Sequence, residues 1–184
     1  AIKFVPVILE LESHSERFKS VVCVTAQHRE MLDQVLDLFE LSPDYDLDIM
    51  KPGQDLFDIT ANVLTGMREV IAGFTPDILF VHGDTTTTFA AALAGFYLNI
   101  KIAHVEAGLR SFNRSMPEEI NRVLTDHGAD YLFAPTEAAM KNLQNERLKN
   151  RAFLTGDIML DALYNNIKKA NEKCRILSKL DLQK

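Results

Sequence analysis

Two apolar rhythms alternate along the chain. Short β-branched runs bounded by turn residues predict strands at 20–25, 45–50, 77–82, 100–105, 130–135 and 151–155. Between them the spacing becomes helical. Within 54–74, the residues Leu56, Ile59, Val63, Met67, Val70 and Phe74 fall on one face. The stretch 88–98 is almost wholly small and apolar, which predicts a helix packed deep against the sheet. Helices at 117–128, 137–146 and 157–180 complete the set. Ile2, Val5, Ile8 and Leu9 also keep helical spacing, with no capping residue ahead of them. Punctuation agrees: Pro52-Gly53 precedes one helix, Thr75-Pro76 ends it, and Pro135-Thr136 opens another. Strand–helix alternation with Val/Ile-rich strands predicts an α/β fold, a parallel sheet with helices on both faces. Such sheets bind ligands beyond the carboxyl ends of their strands, which directs attention to the residues just after each strand.

Composition narrows the function. The 184 residues are 47% hydrophobic and 25% charged, enough apolar material for the core of one globular domain. No run approaches the roughly 18 apolar residues of a membrane span. The opening AIKFVPVILELE lacks the basic flank and cleavage pattern of a secretory signal. Cys23 and Cys174 lie far apart, one in a strand and one in a terminal helix, which reads as two reduced thiols in a cytoplasmic protein. A net charge of −6 argues against non-specific nucleic-acid binding. A small anionic ligand stays open, because helix amino termini and single Arg or Lys residues hold phosphate locally.

Three stretches that follow or lie near strand ends are unusual. In HGDTTTT, 82–88, Asp84 sits at a strand-to-helix turn; it is either a site residue or, with Thr85, a helix cap. In HVEAGLR, 104–110, an apolar strand runs into His104 and Glu106, followed by Gly108 and Arg110. Glu106 is either paired with Arg110 beside a core histidine, or a carboxylate whose proton affinity burial raises toward general acid–base work. In SMPEEINR, 115–122, Ser115 and Glu118 have capping-box spacing and Pro117 suits a first helical turn, so Glu118 has a structural reading beside a catalytic one. Glu119 reads as a solvated or dipole-favoured acid. His82, Asp84, His104 and Glu106 could imitate a metal site, but no HExxH or CxxC spacing supports one, and no GxGxxG or P-loop pattern is present.

Taken together and in order, VTAQHREMLDQVL, HGDTTTT, HVEAGLRSF and MPEEINR resemble the non-hydrolysing UDP-N-acetylglucosamine 2-epimerases, over residues 1 to about 163. The resemblance implies two Rossmann-like domains facing a cleft, in a glycosyltransferase-B-like architecture, with 1–163 as the amino-terminal domain and 164–184 as a helix or connection toward the other. It implies elimination of UDP to 2-acetamidoglucal and re-addition with the opposite configuration, without metal or other cofactor. The catalytic carboxylates fall on Asp84, Glu106 and Glu118, and a substrate-contacting lysine on Lys3; Asp84 and Glu106 would also touch substrate. Gln27 and His28 match a stretch that touches a second, regulatory substrate molecule in some bacterial members. A cytoplasmic homodimer supplying N-acetylmannosamine units for envelope polymers is expected. The family's opening strand and its Gly-Thr-Arg-Pro-Glu loop would lie before Ala1, and the second domain with a catalytic histidine after Lys184. The 184-residue chain alone is therefore expected to be nearly inactive, with an apolar inter-domain surface exposed. The stretch 111–116 is shorter than in enterobacterial members. Two other readings are an epimerase of UDP-diacetamido sugars and a non-catalytic nucleotide-sugar-binding module.

Overall fold

The computed structural model describes residues 2–26, 29–173, 180 and 182. Among these residues, six strands form two parallel sheets. In one, β1 (Cys23–Val24) pairs with β2 (Tyr45–Asp46). In the other, β3 (Ile78–His82), β4 (Lys101–Val105), β5 (Tyr131–Ala134) and β6 (Ala152–Leu154) lie side by side in chain order. The register sets His82 opposite Val105 and Val105 opposite Phe133, so the carboxyl ends of β3, β4 and β5 form one rim.

All six predicted strands are present, with the first two cut short. Ala26 (φ +54°) and Asp48 (φ +42°) are left-handed, and such residues break the pleat of an extended ladder. Bonds from Leu47 N to Val24 O and from Ile49 N to Thr25 O carry the β1–β2 contact slightly further. No pairing joins β1 to β3 among the described residues, so the expected sheet is divided in two. Helix α3 (Leu56–Phe74), which connects β2 to β3, packs against both neighbourhoods: its Met67 Sδ lies 3.8 Å from Cys23 Sγ, and its length runs along α4 (Thr86–Tyr97).

Local chemistry accounts for the helices. Asp55 and Asp58 form a reciprocal capping box at the start of α3, and left-handed Thr75 followed by Pro76 ends it. Its middle residues Ile59, Val63, Met67, Val70 and Ile71 are buried, whereas Leu56 faces solvent. The small residues of α4, Ala90, Ala91, Ala92, Ala94 and Gly95, let it pack closely on Leu79 and Ile102 of the sheet. Helices α5 (Pro117–Gly128), α6 (Glu137–Asn145) and α7 (Ile158–Lys173) occupy the predicted stretches. Cys174 and the rest of 174–179 lie outside the described residues. A 3-10 turn at Ile2–Phe4 leads into α1 (Val5–Ser13), and both pack against α7. Helix α2 (Arg29–Phe39) falls where the apolar pattern assigns no range, and its Met31 and Leu38 are exposed.

Cys23 is a free, half-buried thiol, and burial, helped by the Asp46 charge, pushes its pKa up to about 11. No helix among the described residues is long and apolar enough to cross a membrane.

Candidate active site

Asp84 and Glu106 leave adjacent strands at the same rim. After β3 the chain turns through Gly83 and Asp84 into α4. Thr85, not Asp84, caps that helix: its Oγ1 accepts from Thr88 N at 3.2 Å. Asp84 is thereby free of capping, and its carboxylate is ion-paired with the Arg122 guanidinium of α5. Asn121 Nδ2 donates to the Asp84 carbonyl at 3.0 Å, so one turn of α5 grips both the main chain and the side chain of this acid.

Glu106 follows β4 directly, in a left-handed conformation with φ +68°. That conformation costs a non-glycine residue about 1–2 kcal/mol and breaks the strand's alternation. His104 and Glu106 consequently share no partner: His104 turns inward to Asp126, and Glu106 faces Lys3 and His82. The pairing of Glu106 with Arg110, one of the two readings of the sequence, does not form. Arg110 instead meets Asp126 and Glu146, each at 2.7 Å.

Lys3 Nζ donates to Glu106 Oε1 at 2.8 Å, and His82 Nε2 lies 3.4 Å from Oε2. That is a long contact, but Nε2 is buried with no closer hydrogen-bond partner among the described residues. The Phe4 ring covers His82 with centroids 5.7 Å apart, fixing the amino-terminal turn on the site. The contact from His82 is the largest influence on Glu106; with Lys3 it outweighs burial and holds the carboxyl down at about 2. The sequence expectation was the reverse, because it weighed desolvation without the two basic groups that the fold brings in.

The sign of this shift fixes a pH dependence. A depressed carboxyl contributes stability above its ordinary value of about 4.5 and loses it as pH falls toward 2. Glu106→Gln should therefore lower stability by roughly 1–3 kcal/mol at neutral pH. In urea unfolding, the gap from wild type should close between pH 4.5 and 2; a gap independent of pH would contradict the assignment.

Glu118 and Glu119 occupy the first turn of α5 and behave differently. The helix begins at Met116 without a side-chain cap, and the expected Ser115–Glu118 capping box is absent. Ser115 instead bonds Asn113 Oδ1 through both its N–H and its hydroxyl, which removes it from the helix end. Glu118 is exposed and makes no side-chain hydrogen bond or ion pair among the described residues. Glu119, expected in solvent, is only 3% exposed. Its carboxylate accepts from Ser111 N, Ser111 Oγ and Phe112 N at 2.8–3.0 Å and from Arg122 at 3.1 Å. Burial opposes its charge, but these donors outweigh it and hold the carboxyl below its ordinary value.

The rim therefore gathers Lys3, Asp84 and Glu106 with the amino end of α5, and Glu118 sits one turn before the residues that grip Asp84. Gln27 and His28 lie outside the described residues. Arg122 and Glu119 are functional candidates by position that motif reading did not single out, and His82, weighed there only as a metal ligand, is a third. The i,i+3 spacing of Glu119 and Arg122 was the available signal for two of them. Among the described residues, no group of three or more His, Cys, Asp or Glu could hold a metal ion.

A family model described as UDP-N-acetylglucosamine 2-epimerase matches residues 10–184. The chain belongs to this family. It is 56% identical over 167 residues to the UDP-N-acetylglucosamine 2-epimerase of Yersinia pestis, covering 89% of this chain and 44% of that protein. It is 52% identical over 172 residues to the enzyme of Neisseria meningitidis serogroup A, covering 92% and 46%. The crystal structure of UDP-GlcNAc 2-epimerase from Neisseria meningitidis bound to UDP-GlcNAc superposes with TM-score 0.87 at 49% identity, over 97% of this chain and 49% of that one. The Methanocaldococcus jannaschii UDP-GlcNAc 2-epimerase in complex with UDP-GlcNAc and UDP gives 0.89 at 40% identity, over 97% and 49%. The chain thus spans about half the length of the family members it matches. Its α/β fold is shared with glycosyltransferase-B-like UDP-GlcNAc 2-epimerases, of which it covers about half.

Proposed function

We propose that the complete gene product interconverts UDP-N-acetylglucosamine and UDP-N-acetylmannosamine, with Asp84, Glu106 and Glu118 as its catalytic carboxylates. The observation that carries this reading is that Asp84 and Glu106 leave adjacent strands at one rim, each held by basic side chains, with Glu118 in the first turn of the helix that grips Asp84. The hydrogen on carbon 2 is barely acidic, so its removal is coupled to departure of UDP from carbon 1. Elimination leaves 2-acetamidoglucal, and re-addition of UDP with protonation of the opposite face gives the epimer. One carboxylate takes the first proton and another acid returns one, which requires two groups of separated proton affinity. Lys3 lies beside Glu106, which supports a role in meeting the substrate, and positive charge near the leaving diphosphate favours its departure.

The same reading extends to what surrounds the site. Residues 1–163 form the amino-terminal domain and 164–184 the connection to a second domain that holds most of the UDP; α7 crosses that boundary. Gln27 and His28 serve a regulatory substrate molecule. The enzyme works in the cytoplasm as a homodimer, on a UDP-sugar rather than on nucleic acid or a membrane, with no cofactor. The 184-residue chain alone shows little or no turnover, and measurable epimerisation by it would contradict the two-domain cleft.

The test is an NMR assay of the complete gene product with UDP-N-acetylglucosamine and, in parallel, a UDP-diacetamido sugar. Formation of the manno epimer from the first substrate is expected. Turnover of the second alone would reassign the substrate, and turnover of neither would leave a nucleotide-sugar-binding module.

A further inference from the structure

Beneath the rim lies a closed charge cluster that the proposed reaction leaves without a role. His104, on β4, is wholly buried, and each ring nitrogen faces an oxygen. Nδ1 lies 2.6 Å from Asp126 Oδ1, and Nε2 lies 2.8 Å from the Gly83 carbonyl oxygen. The two contacts together fix the plane and the direction of the ring. Asp126, from the last turns of α5, is also wholly buried. Its other oxygen accepts from Gly108 N at 3.0 Å and pairs with Arg110 at 2.7 Å. Burial works against the Asp126 charge, but His104 and Arg110 outweigh it and hold the carboxyl below its ordinary range. Arg110, 1% exposed, completes the cluster with two bonds of 2.7 Å to Glu146.

What these bonds hold is specific. Gly83 directly precedes Asp84, and Gly108 follows Glu106 by two residues. Gly83 N also donates to Val105 O at 3.1 Å, the residue just before Glu106. A buried ion pair is often no better for stability than apolar side chains of the same volume, whereas its hydrogen bonds fix directions. Here those directions end on the main chain of the two acid-bearing turns.

We propose that His104 and Asp126 are a positioning pair that sets the separation of Asp84 and Glu106, so that proton removal and return occur across a fixed gap. This rests on the proposed function of the same rim.

The test uses the complete gene product with His104→Gln, Asp126→Asn and the double variant. The amide introduced by His104→Gln keeps an N–H for Gly83 but turns a carbonyl toward Asp126. The amide introduced by Asp126→Asn offers that carbonyl an N–H. Each single variant should lower kcat by about 10–100-fold with KM within about threefold. Each should also raise the fraction of turnovers that end in free UDP and glucal, a ratio that does not depend on how much enzyme is folded. The double variant should recover part of the lost kcat. Single variants with unchanged kcat, or with reduced kcat and an unchanged fraction of released UDP, would overturn the positioning role. A wild type inert toward UDP-N-acetylglucosamine would instead refute the reading of the site. Should the variants fail to fold, NMR of His104 in the unaltered protein decides: hydrogen bonds from the ring to both Asp126 and the Gly83 carbonyl support the pair, and a ring that lacks the bond to Gly83 overturns it.

Discussion

Alanine at position 108 should destabilise the chain by about 2–5 kcal/mol, the largest loss expected from any single methyl group added here. Gly108 adopts φ +81°, and a Cβ there would lie 2.5 Å from the Ala139 carbonyl oxygen and 2.8 Å from Leu143 Cγ. Neither neighbour can yield easily. Ala139 and Leu143 are wholly buried in α6, and Ala139 N is held by the Thr136 cap at 3.1 Å. Two terms combine: the left-handed conformation costs a side chain about 1–2 kcal/mol, and overpacking adds about 1–3 kcal/mol. Gly156 separates them, because it has φ +86° with nothing within 4 Å of the added Cβ. Gly156→Ala should therefore lose only the conformational part, about 1–2 kcal/mol. Urea unfolding of both variants checks this, and equal losses would mean that α6 does not press on the Glu106 turn as described.

The second large effect is on chemistry. In the complete gene product, Asp84→Asn, Glu106→Gln and Glu118→Gln should each reduce kcat by about 10²–10⁴-fold, the range for loss of a positioned proton-transfer group. Their stabilities should differ. Among the described residues, Glu106→Gln leaves Lys3 and His82 without their shared carboxylate, and Asp84→Asn leaves Arg122 only Glu119, whereas Glu118 has no ion pair to lose. Glu118→Gln is thus expected to combine near wild-type stability with a large fall in kcat. Asp130→Asn, which breaks a surface pair with Lys101 at the opposite end of the strands, should leave kcat unchanged. Steady-state assay with thermal melts of the same preparations separates these outcomes.

Much of this was readable in the residues, and what was not has physical causes. Asp84 and Glu106 were visible because each follows an apolar strand by one or two residues, where parallel sheets place their sites. The helices were legible wherever an apolar stripe met turn or breaking residues, as in α3 between Pro52-Gly53 and Thr75-Pro76. The division of the sheet was not legible, because nothing in the sequence pattern marks Ala26 and Asp48 as left-handed. The electrostatics were the least legible part. Glu106 meets Lys3 across 103 positions, and Asp84 meets Arg122 across 38. No local spacing encodes such pairs, and only the collinear motif order suggested that Lys3 belongs to the site. Glu119 was misread for a similar reason: its donors are main-chain groups of a loop whose path the sequence does not state.

The most direct measurement follows the hydrogen at carbon 2. The complete gene product is incubated with UDP-N-acetylglucosamine in heavy water, and deuterium at that carbon is counted in the epimer by NMR. If Asp84, Glu106 and Glu118 act together on one bound sugar, each molecule of epimer carries one solvent deuterium at carbon 2, and each amide variant slows its appearance. Epimer that keeps its original hydrogen, or variants that form labelled epimer at the wild-type rate, would contradict the assignment.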